Sequence, residues 1–164
     1  MDSFWISEFV IVSDFDIRIS DFRLEGITVE RFLARYAPQA YALLRIIIGL
    51  LFFCHGAQKV FGLFGGIGGG PVPLASLFGV AGVLELVLGA LITVGWLTGY
   101  AAFLASGEMA VAYFIGHFPH GFWPLQNQGE EAVFYCFVFL YMATQGAGIW
   151  SIDGTRVIRM KDEG

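Results

Sequence analysis

Charge is scarce in this chain. Asp, Glu, Lys and Arg make up only 14% of its 164 residues, while 57% are hydrophobic and the mean hydropathy is +0.70. Soluble domains carry about 25% charged residues, so the composition excludes an ordinary soluble fold and points to a membrane protein. Cysteine is scarcer still: Cys54 and Cys136 both lie inside apolar runs, where buried thiols pack as small hydrophobes and imply no disulfide framework. There is no CxxC, no haem-attachment motif, no HExxH and no dinucleotide fingerprint. The net charge of −5 is carried mostly by the ends of the chain and argues against a nucleic-acid partner, which needs a basic patch. The first 38 residues lack both a basic start and a long apolar core, so they are not expected to be a cleavable signal peptide.

What is present is a series of long apolar runs. Four spans are expected, over residues 39–62, 74–96, 98–116 and 130–150, each near the ~20 residues a helix needs to cross hydrocarbon. Trp96, Tyr100, Trp123 and Trp150 fall at span ends, where an aromatic belt sits. The fold expected is all-α: a four-transmembrane-helix bundle over residues 39–150, an N-terminal amphipathic or extended arm over 1–38, and a short tail over 151–164. Within the arm, residues 13–22 alternate with period two, a strand-like pattern. Val29, Phe32, Leu33 and Tyr36 share one helical face, the pattern of a short interfacial helix. Arg31 and Arg35 precede the first span, and Arg156, Arg159 and Lys161 follow the fourth. The loops at 65–73 and 117–128 have no Lys or Arg. The positive-inside rule then places both termini in the cytoplasm of a multi-pass inner-membrane protein.

The stretch from Leu43 to Gly70 organises the rest. At 100° per residue, Arg45, Gly49, Phe52, Gly56 and Lys59 form one stripe with His55 beside it. Basic groups on an apolar helix must face protein or water, and the glycines let a neighbouring backbone come close. Glu85, on a small-residue face with Gly82 and Gly89, and Glu108, on a stripe of alanines, are the acids placed to meet that base. Counting rise along the helices predicts that Arg45 contacts Glu85, Glu108 or both. Arg45, His55, Lys59, Glu85 and Glu108 are therefore the candidate ligand or proton-site residues. The competing reading is a buried ion pair that sets helix register and performs no chemistry. No catalytic residue or metal ligand is assigned. His117 and His120 are three apart near Glu130 and Glu131, but Pro119 lies between them, and loop histidines of this kind ordinarily cap or stack. Glu130 and Glu131 suit the first turn of a helix. The glycine-rich 65–70 loop follows a helix and lacks a GK[ST] ending, so it is a connection and not a phosphate cradle.

LLRIIIGLLFFCHGAQKVFG, the glycine-rich loop, GVLELVLGALITVGWLTG and HFPHGFW together resemble the DoxX family of small four-span membrane proteins, over about residues 40–154. Arg45, Gly49, Phe52, His55, Gly56, Lys59, Glu85 and Gly89 match its pattern by position, whereas Glu108 has no assigned place in it. The resemblance implies a subunit of a quinone-linked, sulfur- or thiol-type redox membrane assembly. With no cofactor motif in the chain, electrons would pass through a quinone or a partner's cofactors. The alternatives are a non-catalytic accessory subunit of a larger respiratory or photosynthetic complex, docked through the N-terminal arm, and a small-solute or lipid carrier. Membrane lipids are partners under every reading.

Overall fold

A computed structural model describes residues 29–155. Both the strand-like segment at 13–22 and the basic tail beyond 155 lie outside the described residues. The chain divides into two units after Pro38. In the first, residues 29–34 are helical and Val29, Phe32, Leu33 and Tyr36 are exposed. The Arg35 guanidinium lies 4.2 Å from the Phe32 ring centroid and 4.6 Å from that of Tyr36.

The second unit is built from four long helices, the first of which begins at Ala37, just ahead of the division: α1 (Ala37–Phe61), α2 (Leu77–Val94), α3 (Thr98–Ala112) and α4 (Glu130–Gln145), with a single short helical turn at Pro124–Asn127. No strand occurs among the described residues, only an isolated bridge between Ile67 and Gly70 in the glycine-rich loop. Their boundaries have local causes. Val72 N–H caps the end of α1 at the Lys59 carbonyl. Ser76 opens α2 by accepting the Gly79 N–H at 3.1 Å, and Gly95 at φ 74° closes it in the left-handed conformation that glycine tolerates. Helix α3 continues through a π turn, Tyr113–His117, and a 3-10 turn, Phe118–His120.

Among the described residues, three helices are long and apolar enough to cross a membrane: Ala37–Phe61, Leu77–Val94 and, counted through its terminal turns, Thr98–His120. The fourth expected span, 130–150, is different. Its helix has 16 residues and ends at Gln145, giving about 24 Å at ~1.5 Å per residue, short of a ~30 Å hydrocarbon core. Gly146 at φ 72° stops the helix. Segment 146–150 is then held in irregular form: Tyr41 donates to the Gly146 carbonyl at 2.5 Å.

Helices α1 and α2 run backbone to backbone. A Cβ on Gly56 would lie 2.5 Å from the Leu86 nitrogen and 2.6 Å from the Gly82 carbonyl. One on Gly89 would lie 2.6 Å from the Phe53 nitrogen. The remaining core is aromatic and alanine-rich. Phe52 packs edge-on to Phe139 at 4.7 Å, Tyr135 stacks on Phe139, and Ala101, Ala105 and Met109 of α3 are buried against them.

Candidate functional site

The antiparallel pairing of α1 and α2 sets which candidates meet. Gly49 lies against Thr93, Phe53 against Gly89, and Lys59 against Gly82. Arg45 therefore comes level with the end of α2, not with Glu85. The two basic residues of the stripe are about 21 Å apart along α1 at ~1.5 Å per residue, and each has found a different kind of partner.

At one end, Arg45 is wholly buried. Its guanidinium donates to the carbonyls of Ile92 at 2.7 Å, Thr93 at 2.6 Å and Trp150 at 2.6 Å. The expected contact with Glu85 or Glu108 is not formed. A count of rise gives depth along each helix but does not fix the register between two helices. The actual register slides Arg45 onto the open carbonyls and negative dipole end of α2, a favourable place for a cation. Nearby, Asp153 accepts the Thr98 N–H at 3.3 Å at the start of α3, and its own N–H donates to the Gly95 carbonyl at 3.0 Å. Ser151 and Gly154 close a tight turn beside them, with the Gly154 N–H 3.0 Å from Ser151 Oγ. Arg45 thus acts as a tie between α2 and the segment after α4, and it does not line the cavity described next.

At the opposite end, the four helices enclose a cavity of about 700 Å³. His55, Lys59, Glu85 and Glu108 all line it, so four of the five candidate site residues come together. Lys59 pairs with Oε1 of the buried Glu85. His55 Nε2 lies 2.8 Å from Glu131 Oε1, and its ring stands edge-on to Tyr135 at 6.0 Å. Glu85 Oε2 and both oxygens of Glu108 are buried without a hydrogen-bond partner. The rest of the lining is largely apolar, including Phe52, Leu88 and Met109, with His117 and Gln128 as further polar residues. Leu77, Phe78, Leu84, Leu104, Val111 and Ile115 line the same cavity yet are 42–61% exposed, which marks an opening between α2 and α3. The arrangement can seat an apolar body and present carboxylate acceptors to a polar head.

Two members of the site were not singled out from the sequence. Glu131 was read as a first-turn residue of α4, which it is, but it also holds His55. The signal was available: with antiparallel helices, the end of α1 and the start of α4 share a face. Tyr135, one turn further along α4, left no separate signal. The loop histidine His117 stacks on Tyr113 and lies 3.1 Å from the Asn127 carbonyl, while Asn127 ties the loop by donating to Gly121 at 2.6 Å. Among the described residues no three His, Cys, Asp or Glu side chains gather as a metal site, and both cysteines are free.

The DoxX family model matches residues 40–118, which hold Arg45, the cavity side chains of α1 and α2, and Glu108. An uncharacterized protein of Haemophilus influenzae is 39% identical over 130 residues, covering 74% of this chain and 93% of its own length. An uncharacterized membrane protein of Mycobacterium tuberculosis is 28% identical over 143 residues, covering 75% and 85% respectively. No solved structure matches the chain. The chain belongs to the DoxX family and is a multi-pass integral membrane protein.

Proposed function

We propose that the cavity binds a lipid-soluble molecule with a polar head, and that the protein does so as a subunit of a quinone-linked redox membrane assembly. One observation carries the reading. Three unpartnered carboxylate oxygens sit in an apolar-walled space that opens between two exposed helix faces. Buried acceptors are costly unless a donor reaches them. The two hydroxyls of a quinol supply such donors, and its tail can enter from the bilayer between α2 and α3. In this reading Glu85 and Glu108 accept from the head, and Lys59 and His55 fix the acids that surround it. Arg45 holds the far end of the bundle together.

The topology belongs to the same proposal. Helix α4 crosses with the help of its flanking segments, since Tyr135, Phe139 and Met142 pack it into the buried core and Trp123 and Trp150 are exposed beyond its ends. Both termini then lie in the cytoplasm of the inner membrane, and the cavity opens towards the outer leaflet.

The experiment is equilibrium binding of a short-tailed quinol, kept reduced, to the full chain in lipid nanodiscs. Gly107 lines the cavity, and a Cβ there meets no atom within 4 Å, so Gly107→Phe can fill the space without moving backbone. Binding should fall at least tenfold in that variant. Equal binding by both proteins overturns the proposal.

A further inference from the structure

We infer that the same cavity also takes a positively charged amphiphile, an alkylammonium whose head sits on Glu108. This rests on the reading of the cavity as a ligand site, and it goes beyond that reading by assigning the charge of a second ligand class. The argument is an account of who holds whom. The lining carries three acids, Glu85, Glu108 and Glu131, and one lysine. Lys59 is taken by Glu85, and the His55 ring by Glu131. That leaves Glu108 with neither oxygen partnered and both shielded, and Glu85 with one oxygen in the same condition.

A ligand that satisfies these atoms must bring donors, and one that also neutralises the acid must bring positive charge. An ammonium head does both, with up to three N–H groups for three open oxygens. A bare inorganic cation is a poorer match, because the lining is largely apolar and no cluster of three metal-ligating side chains exists among the described residues. An anionic head would face an acidic surplus. The Phe52 and Tyr135 rings on the lining add faces that attract a cation. The exposed apolar residues of α2 and α3 accept the alkyl tail along the opening.

Octylammonium and octanol share a tail and differ in head charge, so the pair tests the inference directly. Each is titrated into the full chain in zwitterionic nanodiscs, with empty nanodiscs as background, alongside the quinol. The expected result is at least tenfold tighter binding of octylammonium than of octanol, a preference lost in Glu108→Gln. A second measurement uses the unaltered protein: a lipid-soluble carbodiimide should modify Glu108, and octylammonium, not octanol, should protect it. Equal affinity of the two probes, or an unchanged preference in a folded Glu108→Gln, overturns the inference and leaves the cavity as a neutral amphiphile site. So does modification of Glu108 that octylammonium leaves unaltered. Quinol binding without octylammonium binding overturns the inference alone. Failure of all three molecules to bind overturns it together with the reading it rests on.

Discussion

Replacing Arg45 with leucine removes the tie at the end of the bundle away from the cavity. The side-chain volume is largely kept, but three charge-assisted hydrogen bonds of 2.6–2.7 Å are lost. The Ile92 carbonyl still receives the Gly95 N–H at 3.2 Å. The Thr93 and Trp150 carbonyls lose the guanidinium that served them. At about 1–3 kcal/mol for each buried acceptor left open, the loss is roughly 2–6 kcal/mol. Release of the buried guanidinium offsets part of it, so a net destabilisation of about 3 kcal/mol is expected, read from unfolding of the purified protein in bicelles. Arg45→Lys should recover only part, because a single ammonium cannot fork between α2 and the segment after α4. The decisive variant is the double change Arg45→Leu with Glu85→Gln. Separated by most of the length of α1, the two losses should add to within about 0.5 kcal/mol. If the second change rescues the first, Arg45 answers to the acid after all and the capping argument fails. An Arg45→Leu protein as stable as the parent would also refute it.

The Lys59–Glu85 pair should behave in the opposite way: Lys59→Met alone leaves a buried carboxylate uncompensated and costs about 3–5 kcal/mol. Adding Glu85→Gln should recover much of that loss, and strict additivity would show that the pair is not coupled. Gly56→Val drives a side chain into the α2 backbone at the 2.5 Å approach and should destabilise by about 3 kcal/mol or more; an unaltered unfolding midpoint would mean that the helices are not in backbone contact. In a background without Cys54 and Cys136, a cysteine at position 120 should react with an impermeant thiol reagent from the outer side only. Labelling from the cytoplasmic side alone would reverse the proposed topology.

The class of the fold was legible because it follows from quantities local to the sequence. Apolar run length gives the helices, and glycines at helical spacing foretell the close packing of α1 on α2. The length of α4 was misjudged for a local reason as well. The run from 130 to 150 is apolar enough to read as one span, but Gly146 adopts positive φ and ends the helix at Gln145. The site was legible only in part, because partners are a matter of register. A buried ionisable residue in a sequence declares that a partner is needed, but not what kind. Arg45 and Lys59 lie on one stripe of one helix, yet Lys59 found a carboxylate and Arg45 found backbone carbonyls, which have no letter in the sequence. Counting acids against bases could not separate these cases. Once the carbonyls are counted as partners, the pairing leaves a remainder: Arg45 answers neither Glu85 nor Glu108, and Glu108 is left without a hydrogen-bond partner in the cavity. That remainder is the physical reason to look for a ligand at Glu108, because a packed core gains nothing from burying a carboxyl group that no other group answers.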